Sequence, residues 1–128
     1  MRILLDTHAI IWWLLGDPRL SPVAEAAIQQ GDRSVFVSAA SGWEIATKVG
    51  SGRMPSMAAR ISSFINDVLD DGFLHLPVEQ HHGITGGRFE SRHKDPFDRL
   101  IAAQALLEGM TLVTVDREMA QFGCEILW

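Results

Sequence analysis

The stretch RILLDTHAIIWWLLGDP, residues 2–18, decides how this chain folds. Its opening run, Arg2–Leu5, is short and apolar and ends at a carboxylate, Asp6, which is typical of a buried strand. The following residues, His8–Leu15, predict a helix that Gly16 and Pro18 bring to an end. A buried strand followed at once by a helix begins a crossover connection, so this stretch predicts a parallel sheet covered by helices.

The rest of the chain repeats this alternation. The sequence predicts strands at 34–37, 73–76, 111–115 and 125–128, and helices at 23–30, 39–49, 78–88 and 97–107. Ser21, Ser38 and Pro96 stand at helix starts, and Gly31, Gly50 and Gly109 stand after helix ends. A further helical stretch begins at Ser56, and its apolar residues are expected to pack in the core or against another helix: Met57, Ile61, Phe64, Ile65, Val68 and Leu69. The prediction is an α/β fold, an α/β/α sandwich with a mostly parallel central sheet, in a single domain spanning residues 1–128.

Composition excludes several classes of protein. Cys124 is the one cysteine among 128 residues, which argues against a disulfide scaffold or a zinc finger and favours a reducing compartment, the cytoplasm. No run approaches the roughly 18 apolar residues of a membrane span. The opening segment, Met1–Gly16, is interrupted by Asp6 and His8 and lacks a small-residue cleavage site, so we interpret it as folded structure and not as a signal peptide.

The formal net charge of −5 argues against non-specific binding to nucleic acid or to acidic membranes. If four carboxylates surrounded two divalent cations, however, the effective charge would become about −1. Net charge alone therefore excludes little.

Four acidic residues are predicted near one edge of the sheet. Asp6 and Asp116 each follow a strand, Glu44 lies in the helix that Ser38 caps, and Asp98 lies in the first turn of another helix. In an open parallel sheet, ligands gather at the carboxyl ends of the strands. Each acid also has a structural interpretation: Asp6 and Asp116 as helix caps, Asp98 as a partner of the helix dipole, and Glu44 as an i,i+4 partner of Lys48 on a solvated face.

Capping does not require four carboxylates at one sheet edge. Converging carboxylates repel one another, and a hard cation such as Mg²⁺ or Mn²⁺ relieves the repulsion. Such ions hold phosphate oxygens and activate water, which is what phosphodiester hydrolysis needs. The acids therefore predict metal-dependent phosphodiester chemistry.

Four segments, in this order, carry a family resemblance: LLDTHAIIWW (4–13), SAASGWEIATK (38–48), HKDPFDRLIAAQA (93–105) and LVTVD (112–116). They resemble the PIN-domain ribonucleases, specifically the VapC-like toxins of bacterial toxin–antitoxin pairs. The resemblance implies a PIN-like fold and an endoribonuclease that uses Mg²⁺ or Mn²⁺ and forms a homodimer. It also implies a cognate antitoxin whose C-terminal segment enters the active-site groove.

Carried over residue by residue, the resemblance implies that Asp6, Glu44, Asp98 and Asp116 form the catalytic metal site. Asp95 is a further acid of the motif, and we favour a helix-capping role for it over direct ligation. Thr114, two residues before Asp116, is expected to orient a metal-bound water, although a threonine in a strand commonly has no such role.

Basic residues surround these motifs and are candidates for binding RNA. Arg92 and Lys94 lie in a basic stretch before Asp95, where Phe89 or His93 would stack on a base. Lys48 lies one turn beyond Glu44. The alternatives are a solvated loop for the basic stretch and a simple ion pair for Lys48.

The remaining sequence predictions concern a pair of adjacent tryptophans and a pair of adjacent histidines. Trp12 and Trp13 exceed what one face of a short helix needs, so we expect their apolar surface to meet the antitoxin or a second subunit. Replacing either with Ala would then weaken antitoxin binding more than stability. His81 and His82 are adjacent, so on a helix they point about 100° apart and are not expected to share a ligand.

The sequence thus predicts a metal-dependent endoribonuclease in which an activated water attacks the phosphorus. The alternative is a non-catalytic PIN module that binds RNA or a protein partner. A phosphatase of the aspartyl-phosphate type is disfavoured because it needs a second acid two residues after Asp6, where this chain has His8.

Overall fold

A computed structural model of the protein describes residues 1–30 and 34–128. The strands are β1 (Arg2–Leu5), β2 (Ser34–Ser38), β3 (Leu74–Leu76), β4 (Thr111–Val113) and β5 (Ile126–Leu127). The helices are α1 (Thr7–Leu15), α2 (Pro22–Gln29), α3 (Ala39–Gly50), α4 (Phe64–Asp70), α5 (Gln80–Arg88) and α6 (Pro96–Glu108), with 3-10 turns at Pro55–Met57, Ile61–Ser63 and Arg117–Phe122. The predicted strand–helix alternation is confirmed, while Gly31, predicted to end the second helix, lies outside the described residues.

The five strands form one parallel sheet in the order β3-β2-β1-β4-β5. From the central β1 the chain moves outward through β2 and β3, and it then crosses to the other side of β1 to form β4 and β5. The reversal of direction leaves a crevice at the carboxyl ends of β1 and β4, where open α/β sheets bind their ligands. Asp6 follows one of these strands, and Asp116 lies three residues beyond the other.

Helices cover both faces of the sheet. Along β1, Ile3 and Leu5 belong to one buried apolar cluster with α1 and α2, whereas Leu4 belongs to a second cluster with α6. Successive strand residues point to opposite faces, so this division places a hydrophobic core on each side. The predicted α/β/α sandwich is confirmed.

Polar caps and glycines set the helix bounds, as the sequence predicts. Ser21 and Ser38 accept hydrogen bonds from the first-turn N–H groups of α2 and α3. Helices α1 and α6 end at Gly16 (φ 62°) and Gly109 (φ 65°), in the left-handed conformation that glycine adopts without steric cost. Local interactions therefore fix these helix ends.

The stretch from Ser56 to Leu69 differs from its prediction. Two 3-10 turns precede α4, which begins only at Phe64, and the change of helical period breaks the expected single apolar face. Phe64 and Val68 are buried, but Ile65 is 67% exposed and Leu69 is 49% exposed. The expectation that both of these residues pack in the core is wrong.

Strand β4 ends earlier than its sequence pattern predicts. It stops at Val113 because its outer neighbour β5 is only two residues long and pairs as far as Leu127. Beyond that point Thr114 turns its hydroxyl toward β1, and Val115 is exposed. The early end of β4 brings Asp116 back to the crevice.

Trp12 is a core residue, and the expectation that its surface meets a partner is wrong. Its side chain is 8% exposed, and its ring packs edge-on against Trp128 with the centroids 5.7 Å apart. Trp13 is partly buried against Phe73, and its indole N–H donates to Asp71 at 2.9 Å. The two tryptophan side chains of α1 therefore make most of their apolar contacts inside the domain.

Gly86 fits the close packing of α5 on α6, so Gly86→Ala is expected to lower the free energy of unfolding by about 1–3 kcal/mol. A Cβ at this position would lie 3.0 Å from the carbonyl oxygen of Arg99 and 3.2 Å from its carbonyl carbon, and backbone cannot move aside cheaply. Gly87→Ala is the matched control, because nothing lies within 4 Å of its Cβ position and alanine favours a helix. Urea denaturation measures both variants, and an equal loss of stability in the two would contradict the packing interpretation.

Candidate active site

Asp6 is a buried carboxylate at the carboxyl end of the central strand. It is 6% exposed, and its Oδ1 accepts a hydrogen bond from the backbone N–H of Ala9 at 2.9 Å, which caps α1. Its Oδ2 accepts from the hydroxyl of Thr114. The capping interpretation is therefore correct for Oδ1, while Oδ2 is hydrogen-bonded to Thr114, the residue just beyond the neighbouring strand β4.

Thr114 links the two halves of the sheet at the crevice. Its hydroxyl donates to Asp6 and accepts from the backbone N–H of Asp116 at 3.1 Å. The side chain of Asp116 in turn accepts from the N–H of Glu118 at 3.0 Å and caps the following 3-10 turn. Thr114 thus fixes the position of Asp6 relative to Asp116.

Glu44 is the most enclosed acid of the group. It is 4% exposed, and its Oε2 lies 2.5 Å from the Lys48 ammonium, so the expected i,i+4 pair exists but is not on a solvated face. Its Oε1 is buried and has no hydrogen-bond partner within the described part of the chain. A buried carboxylate oxygen without a partner costs free energy, which a bound cation would offset.

Asp98 is hydrogen-bonded to His93, a residue that the sequence analysis considered only as a candidate for stacking on a base. Its Oδ2 lies 2.8 Å from His93 Nε2, and His93 Nδ1 lies 3.4 Å from Glu118 Oε2. His93, Asp98 and Asp116 each offer a ligand atom within 4.8 Å of the others. His93 is the site residue that sequence reasoning missed, and its position at the start of the HKDPFDR motif was the available signal.

The pKa shifts indicate that these groups share one site. Burial raises the pKa of Asp6 to about 6, and the negative charge of Asp98 adds to the shift. Burial likewise raises the pKa of Asp98, to which the charges of Asp95 and Glu44 contribute. The hydrogen bond to Asp98 raises the pKa of His93, and the charge of Asp116 acts in the same direction. These effects couple the four predicted acids electrostatically, and only Asp98 and Asp116 of the four lie within 4.8 Å of each other in the group that includes His93.

This donor set fits Mg²⁺ or Mn²⁺. Carboxylate oxygens dominate it, and hard divalent cations prefer oxygen ligands. Asp6, Glu44, Asp98 and Asp116 carry four negative charges, of which Lys48 offsets one. The buried, unpartnered Oε1 of Glu44 is the feature of this group that fits a divalent cation.

The auxiliary acid and the basic candidates lie at the rim. Asp95 is exposed, and its Oδ1 accepts from the N–H groups of Phe97 and Asp98 at 2.9 and 3.2 Å, so it caps α6 as expected. Arg92 and Lys94 are exposed on the segment that precedes α6. The proposed base-stacking partners are already engaged, because Phe89 packs on Phe122 at 4.7 Å and His93 bonds to Asp98.

Arg99 holds this segment against α6. Its guanidinium donates to the backbone carbonyls of Gly86, Phe89, Ser91 and His93 at distances between 2.8 and 3.0 Å. A planar fork of five N–H donors suits several carbonyls at once, which a lysine does not. Arg99 therefore positions the histidine that contacts Asp98.

His81 and His82 converge on one carboxylate, contrary to the expectation that they would point apart. Their rings lie 4.2 Å apart, and their Nε2 atoms lie 3.7 and 2.8 Å from Glu108 Oε1. However, His82 Nδ1 accepts from the N–H of Glu79, so the ring proton is on Nε2 and donates to Glu108. This hydrogen bonding ties α5 to α6 and leaves His82 without a lone pair for a metal.

Cys124 has no catalytic environment. It is 7% exposed, its thiol donates to the Met119 carbonyl at 3.6 Å, and burial raises its pKa, which disfavours the thiolate.

None of the helices in the described part of the chain has the length and apolar character needed to cross a membrane.

The metal-free protein is expected to lose stability as the pH rises through the titration of Asp6. The folded-state pKa of Asp6, about 6, is above its ordinary value of 3.8, so the folded state binds this proton more tightly than the unfolded state. The resulting stabilisation is complete below about pH 3.8 and is lost as the pH rises through about 6, and it amounts to about 3 kcal/mol.

Urea denaturation in EDTA between pH 4 and pH 7 measures this effect against an Asp6→Asn variant, which lacks the titrating group. The wild type should lose stability relative to the variant over this range. Parallel pH profiles for the two proteins would show that Asp6 titrates normally in the folded state.

Comparison with known proteins agrees with the fold. The PIN domain family model matches residues 3–123. Ribonuclease VapC22 of Mycobacterium tuberculosis is 32% identical over 118 residues, which cover 91% of this chain and 88% of that protein.

Two solved structures are similar in fold. A VapBC2 complex from Rickettsia felis, bound to a DNA fragment of its promoter, has a chain that matches with a TM-score of 0.70 at 14% identity, over 99% of this chain and 98% of that one. A chain of VapBC-1 from nontypeable Haemophilus influenzae matches with a TM-score of 0.68 at 20% identity, over 99% and 97%.

Proposed function

This chain belongs to the PIN domain family, and we propose that it is a metal-dependent endoribonuclease whose four acids hold Mg²⁺ or Mn²⁺. The observation that carries the proposal is the buried, unpartnered Oε1 of Glu44 within a group of acids whose pKa values are raised. The similarity to a protein named as a ribonuclease supports RNA as the substrate.

Different residues are proposed to hold the metal ion, to position the acids and to bind the substrate phosphate. A bound divalent cation supplies Lewis acidity toward a phosphate oxygen and lowers the pKa of water. Four acids would hold this cation: Asp6, Glu44, Asp98 and Asp116. The hydroxyl of Thr114 fixes the position of Asp6 relative to Asp116 by hydrogen-bonding to both residues. Lys48, which pairs with Glu44, would also be able to donate a hydrogen bond to a substrate phosphate held at the acids.

Arg92 and Lys94 are proposed to guide RNA toward the acids. Both are exposed beside the segment that Arg99 holds, so their positive charges offset part of the repulsion between the acidic site and the RNA backbone. Asp95 is proposed to act through its cap on α6 and not as a ligand, because its Oδ1 is used by two backbone N–H groups.

The partners of the chain are also part of the proposal. The VapBC complexes with this fold support the assignment as the toxin of a toxin–antitoxin pair with a cognate protein antitoxin. A homodimer and a cytoplasmic location are proposed with it, the latter supported by the single free thiol of Cys124. We propose that the whole chain works as one PIN domain.

Titration of Mn²⁺ into purified protein without antitoxin tests the metal site. Calorimetry should show binding to the wild type and loss of binding in Asp98→Asn, because the variant removes a charge from the centre of the acid group. Glu25→Gln removes an exposed carboxylate of α2 and is the matched control. Circular dichroism confirms that each protein is folded.

Each outcome of this titration decides between two functions. Metal binding that only the site variant loses, together with Mn²⁺-dependent cleavage of RNA, supports the nuclease. A folded wild type that binds no Mn²⁺ would overturn the proposal in favour of a non-catalytic PIN module that binds RNA or a protein.

A further inference from the structure

Trp43 is an exposed aromatic side chain beside the acidic site. It is 62% exposed, and it is the one aromatic residue among the large, exposed apolar side chains of the described residues. It lies on α3 immediately before Glu44. An indole is highly buried on average, so this exposure sets Trp43 apart from the core aromatic residues.

A second aromatic ring from another helix supports Trp43. Phe97, the residue before Asp98 on α6, packs against it with the ring centroids 5.0 Å apart and the planes at 76°. In this edge-to-face arrangement the rings do not cover one another as a parallel stack would, so at least one face of the indole remains open. Trp43 and Phe97 together are called the aromatic platform below.

The platform joins the two helices that carry Glu44 and Asp98. Each of its rings belongs to the residue directly before one of these acids, and adjacent helix residues point about 100° apart, so the platform flanks the acids instead of facing them. We infer that an RNA phosphate held at the acids would leave a neighbouring nucleotide near the platform. Lys48 lies one turn after Glu44 on α3 and pairs with that acid, so its positive charge is on the same helix as Trp43. Aromatic faces stack on any nucleobase, whereas the aliphatic residues exposed elsewhere do not offer this interaction.

We propose that the aromatic platform binds a nucleobase of the RNA substrate next to the scissile phosphate. This inference rests on the proposed nuclease function and adds to it the residues that hold the substrate base. It replaces the predicted stacking by Phe89 or His93, whose rings are engaged with Phe122 and Asp98. The indole supplies affinity without reading the base, because every base has a π-face.

Binding of a labelled, mixed-sequence single-stranded RNA, measured by fluorescence anisotropy in Ca²⁺ to limit cleavage, tests the platform. Trp43→Ala is expected to weaken binding by about 10-fold. Trp43→Phe keeps an aromatic face and should remain within about threefold of the wild type, which a purely structural role of the indole would not predict. Ile84→Ala, at a residue of α5 that is 54% exposed, is the matched control and should bind RNA normally.

The same variants are titrated with Mn²⁺ so that the two proposals fail separately. Unchanged metal binding with weakened RNA binding in Trp43→Ala supports the platform. Unchanged RNA binding in Trp43→Ala would overturn it, including when the variant loses affinity for a protein partner instead. A wild type that binds no Mn²⁺ refutes the nuclease function, whatever the result at Trp43.

Discussion

Glu44→Gln is expected to reduce Mn²⁺-dependent RNA cleavage by at least about 100-fold, because residues that merely support metal ligands already contribute 10- to 100-fold. The metal-free variant should nevertheless stay folded and lose no more than about 1–2 kcal/mol of unfolding free energy. Gln keeps the shape of Glu44 and removes a charge whose Oε1 is buried without a partner, and Lys48, at 25% exposed, remains in contact with water when it loses its counter-charge. Cleavage assays and urea denaturation in EDTA measure the two effects on the same preparations.

Lys48→Met provides the comparison for this prediction. It leaves the Glu44 carboxylate, 5% exposed, without its cation, so the metal-free protein should lose roughly 1–3 kcal/mol of unfolding free energy. Combining it with Glu44→Gln removes both charges and should restore most of that loss. If Glu44→Gln destabilises the protein and cleaves RNA normally, Glu44 is a structural ion-pair residue and not a metal ligand.

Trp12→Ala is expected to lower the free energy of unfolding by about 3–5 kcal/mol, which is a large part of the stability of a typical domain. The indole is 8% exposed, packs on Trp128, and has the Arg19 guanidinium 5.0 Å from its ring centroid. Its removal leaves a cavity between α1 and the C-terminal residues. Urea denaturation, followed by far-ultraviolet circular dichroism, measures the loss.

Trp43→Ala is the matched control for Trp12→Ala, since Trp43 is 62% exposed and its truncation should cost only about 0.5–1.5 kcal/mol, from its contact with Phe97. A Trp12→Ala protein with normal stability and weakened antitoxin binding would restore the surface role that the sequence suggested for Trp12.

The fold could be predicted because its signals are local. Each strand is a short apolar run, and side chains such as Ser21, Ser38 and Asp95 cap the helices that follow. The errors arose where tertiary contacts override a local pattern. The pattern at 111–115 is strand-like, but β5 offers β4 too short a partner for the strand to continue to Val115.

The acidic residues of the site could be predicted for the same reason, since each lies just after a strand or in the first turns of the helix that follows. The contacts that give these acids their properties could not. The burial of Glu44 depends on the packing of α3, and the approach of His93 to Asp98 depends on the four carbonyls that Arg99 gathers. No spacing in the sequence encodes these distances.

The bond between Thr114 and Asp6 has a consequence for synthesis of the protein, because it joins residues 108 positions apart. On the ribosome, a nascent chain displays β1 and Asp6 long before β4 exists, and the central strand then lacks one of its two neighbours. Contacts so distant in sequence form late in folding. A chain that has not yet reached Thr114 and Asp116 therefore cannot assemble the complete acidic group.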